Sequence, residues 1–174
     1  MTLEGDKRVL WQLSYGLYVV SSLKGGDEYN GQIANTIFQV SADPPRIVAS
    51  INRENYTHEF ITESGLFAAS ILDQETPFKF IGLYGFQCGR DVDKCAKSEY
   101  IIGKTGCPVV TENALSYIEA KVVNSIEVET HTLFIGEPQY AEILKDGTPM
   151  TYKYYHEVIK GKTPEKAATY LGKG

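Results

Sequence analysis

Residues 15–23 read YGLYVVSSL, a run of β-branched and aromatic positions closed by Lys24-Gly25-Gly26-Asp27. That pattern predicts a strand and then a turn. Residues 46–52 (RIVASIN) and 66–72 (LFAASIL) are apolar runs of strand length. Between them, residues 57–65 read as a short helix. Thr57 is placed to cap its start, and Gly65 suits the left-handed position after its end. The same grammar recurs at Thr76-Pro77, then Phe78, Ile81 and Tyr84, then Gly85: cap, proline at the first helical position, apolar spacing, glycine stop. Two longer strands follow, at residues 114–126 and 130–140, and Asp146-Gly147 marks a turn. Residues 160–174 carry Lys, Gly and Pro and few apolar positions, so they read as an extended arm or linker. The division expected is therefore 1–150 as the folded domain and 151–174 as its tail. The whole predicts a mainly β chain with two or three short helices, most simply one antiparallel barrel.

Composition narrows the function classes. A chain of 174 residues, 43% apolar, is about one domain with enough material for a core. Seventeen Lys and Arg stand against 22 Asp and Glu, a formal charge of −5. A general polyanion binder needs concentrated positive charge, so any phosphate bound here must be held locally. No apolar stretch approaches the ~20 residues of a membrane-spanning helix. The acidic start, Met1-Thr2-Leu3-Glu4-Gly5-Asp6, lacks the layout of a signal peptide. Cys88, Cys95 and Cys107 then read as reduced cytoplasmic thiols.

Most chemistry motifs are missing. There is no Cys-x-x-Cys pair, and His58, His131 and His156 are too far apart for metal-ligand spacing, so no metal is expected. Gly103-Lys104-Thr105-Gly106 looks like the end of a phosphate loop, but Ser98 stands where the leading glycine belongs. No Gly-x-Gly-x-x-Gly or Gly-x-Ser-x-Gly is found.

What remains is an ordered constellation. Gly31, Ala34-Asn35-Thr36, Ser41-Ala42-Asp43-Pro44-Pro45, Ser50-Ile51-Asn52-Arg53 and Tyr56-Thr57 follow one another. Cys88-Gly89-Arg90-Asp91-Val92-Asp93-Lys94-Cys95 and His131-Thr132-Leu133-Phe134-Ile135-Gly136-Glu137 come later. In this order they resemble the flavin reductase-like family of FMN-binding split barrels. Cys88 stands where the family pattern has Ser, and Cys95 where it has Phe. In the tail, Met150-Thr151-Tyr152, Tyr154-Tyr155-His156, Lys160-Gly161-Lys162-Thr163-Pro164 and Thr169-Tyr170 are similar to the flavoprotein half of high-molecular-weight rubredoxins. Flavoredoxin and archaeal ferric reductase are the next relatives by pattern.

The resemblance implies a Greek-key antiparallel split barrel, FMN as cofactor, NADH or NADPH as electron donor, and a homodimer. It implies electrons leaving to rubredoxin, a ferric chelate, free flavin or a flavodiiron protein, with no nucleic-acid or membrane partner. The alternative is an FMN electron carrier reduced by a protein donor, with no nicotinamide site of its own. Ser50, Ile51, Asn52, Arg53, Tyr56 and Thr57 fall where a strand ends and a helix begins, which suits the FMN phosphate. The bland reading is that Thr57 only caps the helix and Arg53 is a solvated charge. Gln32, Ile33, Ala34, Asn35 and Thr36 would run past the edge of the flavin ring, where main-chain N–H groups tune its potential. Cys88, Gly89, Arg90 and Lys94 would reach the flavin or the pyridine nucleotide from a loop. The resemblance places His131 beside the nicotinamide as a catalytic contact; a core or interface histidine is the other reading.

Overall fold

Alternating side chains on one long hairpin set the architecture. In β9 (His131–Ile143) the residues Thr132 and Phe134 point inward and are buried, whereas His131, Leu133 and Ile135 point outward. Its partner β8 (Ala114–Val128) pairs with it from Val128 opposite His131 to Ser116 opposite Ile143. This is the computed structural model of the chain, and it describes residues 4–170. The remaining strands are β1 (Tyr18–Lys24), β2 (Glu28–Ala34), β3 (Ile37–Ala42), β4 (Pro45–Asn52), β5 (Leu66–Leu72), β6 (Tyr100–Ile102) and β7 (Pro108–Val110). Five of these join β8 and β9 in one antiparallel sheet in the order β2-β1-β5-β8-β9-β4-β3, and β6 and β7 pair as a separate hairpin.

The sheet curls until β2 and β4 come into contact. Its concave side is filled by Val20, Ala34, Ile47, Ala49, Ile51, Phe67, Ala120 and Phe134, with Ile61 of α1 (Tyr56–Ser64) as a plug. The expected mainly β antiparallel barrel is therefore present. A second core joins Leu17, Val19 and Leu72 to Phe80, Ile81 and Tyr84 of α2 (Phe78–Phe86) and to Tyr155 of α3 (Tyr152–Glu157). Among the described residues no helix is long and apolar enough to cross a membrane.

Several boundaries differ from expectation. The first strand begins at Tyr18, and Gly16 makes only an isolated bridge to Thr151. Asn55, not Thr57, stands at the cap of α1, without a side-chain cap bond. Thr57 is instead buried in the first turn, where its hydroxyl accepts from Asn30 Nδ2 at 3.0 Å. Gly65 takes the left-handed conformation expected of it, with φ 67°. In α2 the cap position belongs to Pro77, and the helix runs through Gly85. A Cβ at Gly85 would lie 3.4 Å from Ile33, so this glycine serves close helix–sheet packing and not a stop. Asp146-Gly147 forms no turn; the segment runs irregularly from β9 toward Met150. The chain beyond 151 is no extended arm in its described part. It forms α3, folds back on it through bonds from Tyr152, Tyr155 and His156 to residues 161–163, and reaches the barrel where Asn52 and Asn35 donate to Lys166 O and the Thr169 hydroxyl.

Candidate functional site

A cavity of about 580 Å³ opens on the outer face of the barrel, where β2, β4, α1 and the loop after α2 converge. Alternation in β4 explains its floor. Ile47, Ala49 and Ile51 fill the barrel, so Ser50 and Asn52 face outward into the cavity. The start of α1 brings Asn55, Tyr56 and Thr57 to the rim, where a helix N-terminus presents N–H groups and partial positive charge. His131 enters from β9 because it pairs directly with Asn52. The loop after α2 comes against β2 only because residue 89 is glycine: a Cβ there would overlap the Asn30 amide.

Two features of the wall are unusual in a folded protein. Gln32 Oε1 is buried without a hydrogen-bond donor. Lys94 is 4% exposed and has no carboxylate partner among the described residues. Its ammonium donates to Gly31 O at 2.8 Å and to Tyr84 O at 3.4 Å. Burial pulls its pKa down to about 8, partly opposed by the nearby Cys88 and Cys95. His131 is half-buried, and its pKa is lowered chiefly by desolvation. Its Nδ1 lies 2.8 Å from the Thr130 hydroxyl, and the main chain of Lys166 lies beside the ring.

Of the residues singled out from sequence, Gln32, Ile33, Ala34, Asn35, Ser50, Asn52, Tyr56, Thr57, Cys88, Gly89, Lys94 and His131 line one cavity. Thr36, Ile51, Arg53 and Arg90 do not. Thr36 donates to Asn35 Oδ1 at 3.0 Å, which fixes that amide from behind. Ile51 is wholly inside the barrel, as strand alternation requires. The Arg53 guanidinium turns to Glu127 at 3.0 Å. Arg90 pairs with Glu59 and covers the Tyr56 ring at 4.2 Å. Sequence reasoning missed Asn30, Glu54, Tyr84, Tyr152 and Tyr155, and the returning segment 162–168. Asn30 adjoins the recognised Gly31 and was within reach. The returning segment was marked only by the tail motifs Lys160-Gly161-Lys162-Thr163-Pro164 and Thr169-Tyr170, which gave it a resemblance but no place against the cavity. Cys95 and Cys107 are buried, with thiol pKa values pushed up to about 11 by desolvation, and Cys88 is exposed. Among the described residues no group of three or more side chains is arranged to hold a metal ion.

The chain matches the family described as flavin reductase like domain over residues 10–161. It is 48% identical over 166 residues to a ferric-chelate reductase (NAD(P)H) of Archaeoglobus fulgidus, covering 95% of this chain and 98% of that one. It is 44% identical over 165 residues to a high molecular weight rubredoxin of Moorella thermoacetica, covering 95% of this chain and 72% of the relative. Among solved structures, a NADH:FAD oxidoreductase of Streptomyces globisporus superposes with a TM-score of 0.75 at 25% identity, over 83% of this chain and 85% of that one. A flavoredoxin of Methanosarcina acetivorans shares the fold, with a TM-score of 0.73 at 23% identity over 86% of this chain and 81% of that one.

Proposed function

The chain belongs to the flavin reductase like domain family, and from that premise we propose that it is an NAD(P)H oxidoreductase working through bound FMN. The carrying observation is the Gln32 Oε1 atom, buried on the cavity wall with no donor. Such an atom costs about 1–3 kcal/mol unless a ligand supplies an N–H, and the imide edge of a flavin has one. The residues present also suit the rest of the group. A cavity of about 580 Å³ lies within the roughly 300–1,000 Å³ that buries a ligand of this class. Lys94 offers positive charge in an acidic chain, and Tyr56 and Thr57 at the start of α1 offer main-chain N–H groups.

When bound, flavin supplies the conversion of a two-electron donor to one- or two-electron delivery. The chain's own residues do the rest. Gln32 and Asn35 hold polar edges, Lys94 favours negative charge beside it, Thr57 grips the polar chain, and Asn52 and His131 order the second ligand. A cytoplasmic setting belongs to the same reading, with all three cysteines as free thiols. The acceptor falls in the class served by its relatives, a ferric chelate or rubredoxin iron.

Anaerobic titration of the FMN-loaded protein tests this. NADH or NADPH should bleach the flavin band stoichiometrically, and FMN should bind more tightly than FAD. One observation favours the alternative, a carrier reduced by a protein donor: the Lys166 main chain already lies against Asn52 and His131. Bleaching by a protein donor alone would select that alternative.

A further inference from the structure

Residues 162–170 form a strap across the mouth of the cavity. Its root is firmly held. The Tyr152 and Thr163 hydroxyls lie 2.7 Å apart, Tyr155 Oη donates to Lys162 O at 3.1 Å, and His156 Nδ1 lies 2.9 Å from Gly161 O. The distal part is held differently. Asn52 Nδ2 donates to Lys166 O at 3.3 Å, Asn35 Nδ2 donates to Thr169 Oγ1 at 2.8 Å, and Lys166 Nζ pairs with Glu54 at 3.1 Å. No residue from 162 to 170 is buried. Segments with few buried apolar contacts open at low free energy.

The residues that hold the distal strap include Asn35, Asn52 and His131, the polar groups on which a ligand would depend. The Lys166 carbonyl lies between an amide on β4 and an imidazole on β9 that face each other across paired strands. It therefore occupies a subsite built to receive a carbonyl oxygen. A second cavity, of about 850 Å³, lies against the other side of the strap and is lined by Thr163, Thr169 and Tyr170 together with Tyr15 and Tyr152. The family match ends at residue 161, just before the strap begins.

We infer that the strap is an internal ligand: through the Lys166 carbonyl it fills the Asn52–His131 subsite, and an incoming molecule bearing a carboxamide or similar carbonyl displaces it. The oxidised and reduced nicotinamide dinucleotides are the ligands of that class under the proposed function, on which this inference rests. Binding of the second ligand then carries the cost of opening the strap, and loosening the strap lowers that cost.

Two measurements on the full-length FMN-loaded protein test it. Hydrogen exchange of residues 164–170 should speed up when NAD⁺ or NADP⁺ is added, and tryptic cleavage after Lys166 should speed up with it. Bleaching by subsaturating NADH or NADPH should be about fivefold faster in the variant Thr169→Val, which removes the bonds of the Thr169 hydroxyl with Asn35 and Tyr152. Reduction by dithionite should be the same in both proteins. Exchange that slows on adding the dinucleotide would show a strap that closes over its ligand, and would overturn the inference. Unchanged exchange with equal bleaching rates would overturn it while leaving the proposed function standing. No bleaching by either dinucleotide, in wild type and variant alike, would remove the nicotinamide reading and the displaced strap with it.

Discussion

Lys94 and Arg53 show how burial decides what a cation can do. Arg53 and Glu127 have side chains 47% and 73% exposed, and such a pair contributes about 0–1 kcal/mol, so it orders little. Lys94 is different because its ammonium is enclosed and neutralised only by carbonyl dipoles. Its pKa of about 8 lies below the usual lysine value, so the charged form is disfavoured in the folded chain. An anionic ligand in the cavity favours that charged form. The attraction is therefore present below pH 8 and is lost as the pH rises through the folded value. The phosphate of FMN stays a dianion across this range, since its second pKa is about 6. FMN affinity should fall about tenfold between pH 7 and pH 9. In Lys94→Met it should be weaker at pH 7 and nearly flat with pH. Fluorescence quenching at a series of pH values reads both, and an unchanged slope in the variant would detach Lys94 from the ligand.

At the scale of the element, local signals and packing can be told apart. Helix α1 ends where its sequence says, because only a residue free of a Cβ takes φ 67° cheaply, and Gly65 supplies it. Helix α2 contains two glycines but ends at neither. Gly85 is there for contact with Ile33, whereas Gly82 has open space around it. Gly65→Ala should therefore destabilise the protein by about 1 kcal/mol, and Gly82→Ala should stabilise it by a similar amount. Urea midpoints for the two variants should move in opposite directions; movement in the same direction would refute this assignment of their roles. The hairpin of β8 and β9 shows the same division. Its two strands were legible in sequence, but their full length was not. Strand β8 continues to Val128, two residues past the expected end, because Glu129 takes the left-handed turn conformation at φ 47°.

At the scale of the whole molecule, the outer face of the barrel is unfinished. Phe38 pairs with Val48 and Val48 with Ile135; Ser50 pairs with Leu133 and Leu133 with Ile126; His131 pairs with Val128. Directly paired residues share a face, so these positions form one outward band that runs into the cavity at Ser50, Asn52 and His131. Phe38, Ile126 and Val128 remain 50%, 47% and 46% exposed on it. A second copy of the chain seated on this band would bury the apolar residues and complete the rim of the cavity. Light scattering at low micromolar concentration should give about twice the chain mass of 19.4 kDa. Ile126→Asp, at an exposed position, should return the mass to that of one chain and weaken FMN retention. A wild-type monomer that holds FMN tightly would refute the dimer.

The sequence by itself determined what depends on near neighbours. Apolar runs of strand length became β1, β4 and β5, Gly65 ended α1, and Asn35, Asn52, Thr57 and His131 were marked as a set by motifs that survive in one dimension. Only the tertiary structure decided what depends on distant chain segments meeting. It turned Arg53 toward Glu127, 74 residues away, and Ile51 into the barrel. It enclosed Lys94 against Gly31, 63 residues away, and so changed the charge it prefers. It folded residues 162–170 over the cavity, where Thr169 meets Asn35 across 134 residues of chain. That return was illegible because polar, weakly apolar residues look alike whether they trail in water or hydrogen-bond to a site. Only the presence of partners distinguishes the two, and partners at such separation leave no periodicity in the chain.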